Sequence, residues 1–224
     1  GSEVSYIPNL PVQINANDLL AAILTGVGPM GATAVASNSA GAGDGVAGYD
    51  RINRLQIQIN GIKVLPRILG SSQSVFVGEI GYQRVNIGDS FTGNRYGRHF
   101  VFGYGQHALY GGTSLTTTHP EGSKNDGYVT ENSWGYRLRV RGEYPGVWGS
   151  PLTLYPTLSL RHDVSGFSAD SQFLQDRIAV GLNARFNLNK VHNFEVGYVY
   201  YADSADYDAF RDRDYVSVVL SSSF

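Results

Sequence analysis

The chain has 224 residues, a formal net charge of −2 at pH 7 and no cysteine. This near-neutral balance supplies no basic field for nucleic acid, so no nucleic-acid partner is expected. The absence of cysteine excludes disulfide bonds and thiolate metal sites. No apolar run approaches the roughly 18 to 20 residues of a transmembrane helix, so no membrane-spanning helix is predicted.

The first segment with strand periodicity, residues 4–14, contains Pro8 and Pro11. Each proline removes a backbone donor from the hydrogen-bonding ladder, which predicts an edge strand or an irregular strand. The same prolines would leave gaps in a seam between the first and last strands of a closed sheet. We therefore expect imperfect closure, or association with further strands.

The connection that follows is long and of mixed character. Residues 18–24 predict a short helix with Asn17 or Asp18 as its N-cap, and residues 28–48, rich in alanine, glycine and serine, predict a mobile loop. Within that loop Gly43–Gly48 matches the G-x-G-x-x-G pattern. It lacks the preceding parallel strand and the following helix of a nucleotide site, so nucleotide binding is not predicted.

The second strand segment changes phase. Ile57 and Ile59 alternate with glutamines, and the pattern then slips at Asn60–Gly61, so that Ile62 and Val64 follow. One extra residue on one strand of a pair produces such a slip, so a β-bulge is predicted at this position.

Six further segments alternate apolar and polar residues. They begin near Phe76, Ser133, Leu152, Arg177, Phe194 and Asp214. The clearest, residues 177–189, alternates over about 12 residues, more than the usual strand of about 5 to 6. This length suits a tilted strand crossing a bilayer, which needs about 9 to 11 residues.

Connection lengths also sort by position. Short links at residues 66–72, 145–151 and 189–193 fall at one end of the predicted sheet, and longer links at 16–51, 87–132, 166–176 and 203–213 fall at the other. Short periplasmic turns and long outer loops are typical of outer-membrane barrels. We therefore predict an all-β fold, an antiparallel up-and-down transmembrane β-barrel, as a single domain over residues 1–224. Eight strands lie in this chain, alone or within a larger barrel; a soluble sandwich or lipocalin-like barrel is the alternative.

The last segment places Val216, Val218, Leu220 and Phe224 on one face. These residues are predicted to face the membrane. The terminal aromatic residue resembles the insertion signal of bacterial outer-membrane barrels, although Ser222 stands where a second aromatic residue is usual. The barrel-insertion machinery and outer-membrane lipid and lipopolysaccharide are therefore expected partners.

Nine charged residues fall on the opposite faces of the predicted strands. They are Arg137, Arg139, Arg141, Arg161, Arg177, Arg185, Glu79, Glu143 and Glu195. Turning them toward lipid would cost several kcal/mol each, so they are predicted to line the lumen. In a closed eight-strand barrel they would form a salt-bridged plug. In a wider barrel the arginines would line a channel that favours anions.

Several stretches resemble a large proteobacterial outer-membrane family catalogued only as a domain of unknown function. They are residues 3–13, 18–22, 77–82, 133–139, 161–166 and 212–217. The resemblance implies that this chain is the C-terminal part of a longer barrel. It also implies association with exporters of the resistance-nodulation-division type and with periplasmic carrier proteins, and hence traffic of hydrophobic molecules. It assigns no residue a role.

Residues with catalytic potential lie in the second long connection. His99, His107 and His119 occur there with Ser114 and Asp126. A hydrolytic triad is conceivable, but no nucleophile elbow is present and the histidine spacing fits no metal motif. A solvated loop is predicted, as it is for the aspartates of the last connection, with no enzyme activity, metal or cofactor.

The function expected from these observations is passage or handling of small hydrophobic solutes across the outer membrane of a Gram-negative bacterium. A non-transporting structural or adhesin barrel with binding loops is the first alternative, and an outer-membrane hydrolase is the second. Because fold does not determine function, all three depend on the family resemblance and on the loops.

Overall fold

The computed structural model describes residues 1–40, 45–115 and 119–223. Over these residues the chain forms one antiparallel sheet of eight strands, arranged in sequence order. The strands are β1 Ser2–Gln13, β2 Tyr49–Pro66, β3 Gln73–Val85, β4 Asn132–Pro145, β5 Leu152–Ser165, β6 Arg177–Leu188, β7 His192–Tyr201 and β8 Tyr215–Ser222. The predicted antiparallel up-and-down order is therefore confirmed for the described chain.

The sheet is open. Among the described residues β1 pairs only with β2 and β8 pairs only with β7, so the expected barrel is not closed here. The register of β1 shifts between Ile7 and Leu10, at Pro8 and at Asn9, whose φ is 56°. The prediction of an irregular first strand at the edge of the sheet is thus confirmed.

The strand β2 contradicts one expectation from the sequence. Its register against β3 runs without a shift from Arg54 to Pro66, so the bulge predicted at Asn60–Gly61 is absent. Since the backbone alternation continues through this point, Ile62 and Val64 lie on the opposite face of the sheet from Ile57 and Ile59. The backbone pairing of β2 is regular through Asn60–Gly61, and only the face that carries the apolar side chains changes there.

Ladder partners define two chemically different faces. Successive partners on what we call the apolar face include Leu158, Leu182, Tyr198 and Val216. The residues next to these in sequence lie on what we call the polar face, where successive ladder partners include Thr157, Asn183, Gly197 and Ser217. Because neighbouring residues of a strand point to opposite sides, the alternation seen in the sequence becomes a physical separation of the two surfaces.

The connections separate into two rims. The turn rim carries the short links, residues 67–72, 146–151 and 189–191, and the cap rim carries the long ones, residues 14–48, 86–131, 166–176 and 202–214. The long links pack together into a body that we call the cap. Buried residues of its larger core include Ile14, Met30, Tyr96 and Val129, and a smaller core joins Phe102, Phe167 and Tyr207.

Two α-helices lie in the first part of the cap. The helix predicted over residues 18–24 is present but longer: α1 spans Ala16–Thr25, and its N-cap is Asn15, whose side chain accepts from the amides of Asn17 and Asp18. The helix α2, Gly31–Ala40, replaces part of the predicted mobile loop. Alanine has the highest helix propensity, and Ala34 is buried in the cap core. Gly43 and Asp44 of this pattern lie outside the described residues, and residues 45–48 form neither helix nor strand. No helix in the described part of the chain is long and apolar enough to cross a membrane.

Candidate functional site

The histidines of the second long connection organise its backbone. In each, Nδ1 accepts a hydrogen bond from the amide two residues on: His99 from Val101 at 3.4 Å, His107 from Leu109 at 3.1 Å and His119 from Glu121 at 3.2 Å. Each histidine is thereby the N-cap of a short 3₁₀ turn. These contacts hold the backbone in place. They use Nδ1 as an acceptor, which it is only when the imidazole ring is neutral.

The prediction of a solvated loop is wrong for His107, which is fully buried. Its Nε2 lies 3.0 Å from the carbonyl oxygen of Gly93, so the ring donates from Nε2 and accepts at Nδ1. Burial lowers the pKa of this imidazole, and the positive charge of Arg95 lowers it further, against the opposing effect of the Gly93 carbonyl. The neutral ring is therefore part of the folded cap.

We expect the cap to lose stability as the pH falls below about 6.5, the ordinary histidine pKa that His107 has when unfolded. The folded state holds the lower pKa, so the unfolded state binds more protons in this range and stability declines with acidification. The check is the opening free energy of amides 107–112 by hydrogen exchange at pH 7.5 and pH 5. Asparagine is itself a good capping residue, so His107→Asn should flatten the dependence. An unchanged dependence in that variant would contradict the assignment.

The residues considered for a triad have other partners. Ser114 Oγ donates to the carbonyl of Gly122 at 2.7 Å, Asp126 Oδ1 accepts from the amide of Gly127 at 2.7 Å, and His119 packs edge-on against Phe102. Each side chain therefore has a role in holding the connection. These contacts lend no support to a hydrolase.

A buried ion pair lies at the centre of the cap. Arg95 and Asp18 are both fully buried, and the guanidinium forms a two-pronged contact with the carboxylate through Nε, at 2.8 Å, and Nη2. Tyr110 donates its hydroxyl to Asp18 Oδ1 at 2.8 Å. Although burial lowers the pKa of Arg95, the hydrogen bonds and charge of Asp18 outweigh burial and leave that pKa raised.

A second arginine in the cap is held by backbone carbonyls. Arg98 donates to the carbonyl oxygens of Phe102, Glu121, Lys124 and Asp126 at 2.6 to 2.9 Å. Its guanidinium also lies 4.9 Å from the ring centroid of Tyr128. Burial lowers the pKa of Arg98 and raises the pKa of Tyr128 to about 12. Arg98 thus ties distant parts of the second connection together.

These cap residues were missed by the sequence interpretation, which assigned no role to Arg95 or Arg98 and considered Asp18 only as a helix cap. One signal was available. The segment 91–110 contains many aromatic residues, namely Phe91, Tyr96, Phe100, Phe102, Tyr104 and Tyr110. A mobile solvated loop has no need of so many aromatic side chains, whereas the packed cap buries Tyr96, Phe102 and Tyr110.

Part of the cap folds onto the polar face of the sheet. Phe173 is buried, and its ring fills the space above Gly81 and Gly135, where a Cβ at either glycine would meet it at 3.0 to 3.1 Å. Beside it, Asp170 accepts from Arg54 and Gln83 at 2.8 and 2.9 Å. The connection 166–176 therefore covers the polar face at the cap rim.

The nine charged residues predicted for a lumen all lie on the polar face, as their ladder partners show. Toward the cap rim they are paired. The buried carboxylate of Asp163 accepts from Arg161 at 3.2 Å and from Arg177 at 2.7 Å. Near the middle of β4, Arg137 approaches Glu79 at 3.8 Å. This half of the set therefore forms ion pairs, whereas the salt-bridged plug predicted for a closed barrel stays a prediction, because the sheet is open here.

Toward the turn rim the same face is less paired. Arg185 lies 4.7 Å from the ring centroid of Tyr155, and Glu195 accepts from Asn183 at 2.8 Å. Arg139 and Arg141 are exposed, and neither forms an ion pair within the described residues. Glu143 lies two residues beyond Arg141 on β4. Arg139 and Arg141 thus lie on an open polar surface, and the channel lined by arginines stays a prediction because the sheet is not closed.

The residues predicted to face a membrane are exposed on the apolar face where the structure describes them. Val216, Val218 and Leu220 retain 69%, 61% and 76% of their accessible surface. Phe224, the predicted insertion signal, lies outside the described residues.

The aspartates of the last connection are not all solvated. Asp203 contacts Arg211 at 3.1 Å, but Asp208 is buried beside Arg177 at 3.9 Å, which contradicts the solvated prediction for that residue. Over the described residues, no group of three or more potential ligands among histidine, cysteine and the acidic residues is placed to hold a metal ion.

These features define a class of mostly-β protein: an antiparallel meander with one apolar and one charged face, and a packed cap at one rim. The chain belongs to the family described as Protein of unknown function (DUF1302), whose model matches residues 1–224. No curated protein and no solved structure matches the chain.

Proposed function

We propose that this chain is a membrane-spanning part of an outer-membrane β-barrel in a Gram-negative bacterium, and that the barrel passes or handles small hydrophobic solutes. The observation that carries the proposal is the uncovered apolar face. Leu158, Leu182 and Val196 lie on central strands and still retain 50%, 55% and 36% of their accessible surface. A soluble protein would bury such a face, since apolar area contributes about 25 cal/mol per Å² when removed from water.

The shape of the apolar face suits acyl chains. An open groove of about 690 Å³ runs along it, with Val140, Leu158, Leu182, Val196 and Val216 among its lining residues. Lipid tails would fill such a groove without requiring a specific partner. The strands from β2 to β7 contain 10 to 18 residues, enough for a tilted crossing of a bilayer.

The free edges of the sheet support a larger barrel. A lipid-exposed sheet edge leaves backbone donors and acceptors without partners, at several kcal/mol for each group, so only closed sheets span membranes. The shifted register at Pro8 makes β1 a poor partner for β8. We therefore propose that further strands complete the barrel. The polar face then lines a lumen wide enough to hold water, with the cap over its outer mouth.

A non-transporting barrel is the second candidate, and the packed cap favours it. The connection 166–176 covers part of the polar face, and an obstructed lumen would suit an anchor or adhesin. In both cases the expected partners are outer-membrane lipid, lipopolysaccharide and the insertion machinery. Periplasmic carrier or exporter components are added in the transport case.

Cysteine labelling tests the orientation of the two faces, and the natural absence of cysteine makes every introduced thiol unique. Leu158→Cys and Val218→Cys should react in membranes with a lipid-soluble maleimide and resist a charged one, because they face acyl chains. The neighbouring variants Ser159→Cys and Ser217→Cys point the other way and should show the reverse preference. Equal reaction of Leu158→Cys and Ser159→Cys with the charged reagent would refute the proposed orientation.

Transport is tested on the full-length parent in liposomes. Uptake of a small hydrophobic solute above that of protein-free liposomes supports passage. A sealed barrel, with neither uptake nor steady conductance in planar bilayers, supports the structural alternative. Deleting residues 168–174, which include Phe173, distinguishes two reasons for a sealed barrel. If this connection blocks the lumen, the deletion should allow conductance. If the lumen itself is too narrow, the deletion should leave the barrel sealed.

A further inference from the structure

The polar face carries an aliphatic patch near the turn rim, formed by Ile62, Val64, Val75 and Val77. Ile62 pairs with Val77, and Val64 pairs with Val75. Ile62 and Val64 reach this face because β2 continues without a bulge. Ile62 and Val64 retain 72% and 55% of their accessible surface. The patch is therefore an exposed apolar surface on the side of the sheet that otherwise carries the charges.

Two arginines border the aliphatic patch directly. In the register of β3 against β4, Val77 pairs with Arg139 and Val75 pairs with Arg141. Cross-strand partners have Cβ atoms about 4.5 to 5.5 Å apart, so guanidinium and aliphatic groups are immediate neighbours. On the far side of Arg139 and Arg141, the partners are Ser159 and Thr157. The surface thus changes from aliphatic to cationic to hydroxylic within three strands.

The positive charge beside the patch is incompletely compensated. Within the described chain neither Arg139 nor Arg141 has an ion pair, whereas Arg137 on the same strand approaches Glu79 at 3.8 Å. Two carboxylates face this region: Glu143, two residues beyond Arg141, and Glu195, which accepts from Asn183 at 2.8 Å. Arg139 and Glu195 line the same shallow cavity of about 320 Å³. Two guanidinium groups therefore remain available to an anion.

We propose that Arg139, Arg141 and the aliphatic patch form a binding site for an anionic amphiphile of the fatty-acid class. The carboxylate lies against the two guanidinium groups, whose fork of donors matches its geometry. The alkyl chain lies across β3 and β2 on the patch, a distance of about 10 Å for two strand spacings. A neutral hydrocarbon would leave the arginines unused, and a small anion would leave the patch exposed. The inference rests on the proposed function, of which it specifies the solute class.

Equilibrium dialysis of labelled dodecanoate against the chain held in amphipol tests the site, with dodecanol as the neutral probe and acetate as the tailless one. The double variant Arg139→Gln/Arg141→Gln should weaken dodecanoate binding about tenfold and leave dodecanol binding unchanged. Arg139→Lys/Arg141→Lys should bind dodecanoate more weakly than the native chain and more tightly than the glutamine variant, since lysine keeps the charge but lacks the fork of donors. Arg54→Gln, on the same face but toward the cap rim, eight residues before Ile62 on β2, is the control and should have no effect on dodecanoate binding.

Substitutions in the patch complete the test. Ile62→Ser/Val77→Ser should weaken dodecanoate and dodecanol alike, by about tenfold, because both lose apolar contact. Equal dodecanoate binding by the native chain and Arg139→Gln/Arg141→Gln would overturn the inference, as would displacement of dodecanoate by equimolar acetate. This measurement is independent of transport. Binding without uptake in liposomes would leave the site standing and remove the passage function.

Discussion

Replacing Asp18 with asparagine is expected to destabilise the cap by about 3 to 5 kcal/mol, the usual cost of removing one partner from a buried ion pair. The guanidinium of Arg95 would remain fully buried without its counter-charge. It would keep the carbonyls of Tyr104 and Gln106, at 2.7 and 2.8 Å, but these carry no full charge. Tyr110 would also lose its charged acceptor.

The measurement is hydrogen exchange of the amides in α1 and in residues 95–110, which should open together in Asp18→Asn while the sheet stays protected. The matched control is Arg84→Gln. Arg84 donates from Nε and Nη2 to Oε1 of Glu131, but these side chains are 60% and 49% exposed. An exposed pair contributes at most about 1 kcal/mol, so this variant should leave the cap intact.

A double variant separates charge from packing in the same cluster. Asp18→Leu/Arg95→Met replaces the pair with apolar side chains, and such replacements are often neutral or stabilising because no charge has to be desolvated. We expect it to recover most of the loss seen in Asp18→Asn. Protection in Asp18→Asn equal to that of the native chain would contradict the assignment of this pair as the centre of the cap.

The second large effect concerns the apolar face. Leu182→Arg should impair assembly into bilayers by about 2 to 4 kcal/mol, the cost of an arginine on the lipid face of a barrel near the midplane. Leu182 lies in the middle of β6 and pairs with Leu158 and Tyr198. On the described part of that face, Asp214 lies near the cap rim, where it accepts from Tyr198 at 2.6 Å. A guanidinium in the middle of β6 would therefore have to reach toward the rim and the headgroups or draw water inward. The midpoint of refolding into vesicles along a urea series measures the loss.

The neighbouring residue supplies the control for this substitution. Asn183 lies on the polar face and donates to Glu195 at 2.8 Å, so Asn183→Arg would meet a carboxylate in a wet environment. We expect Asn183→Arg to refold like the native chain. Equal penalties for Leu182→Arg and Asn183→Arg would show that the membrane lies on neither face, and the proposed function would be withdrawn.

The sheet could be predicted because its information is local. Alternation within each strand records the environment of each side chain, and residues such as Arg185 and Phe186 reveal two faces without knowledge of any partner. The same logic failed at Ile62 and Val64. A change of apolar phase has two physical explanations, a bulge or an apolar residue on the other face, and alternation alone does not distinguish them.

The cap could not be predicted because its contacts are distant in the sequence. Asp18 meets Arg95 and Tyr110, which follow it by 77 and 92 residues. Neither the spacing nor the residue types of such contacts leave a periodic signal. Alanine-rich residues 31–40 and the capping histidines resemble flexible loop composition until the packed core that they support is known. The sequence therefore did not predict the buried cluster of the cap, whereas it did predict the charged polar face.

The composition of the smaller cap core sets an order of assembly. Phe102 comes from the connection between β3 and β4, Phe167 from that between β5 and β6, and Tyr207 from that between β7 and β8. Bringing such remote segments together costs chain entropy, and the growing meander lowers this cost only as its strands pair in turn. The aromatic contacts are thus completed after the seventh strand is in place. A chain truncated before Tyr207 should pair its earlier strands and leave its cap unfinished, so the cap reports that the first seven strands have paired.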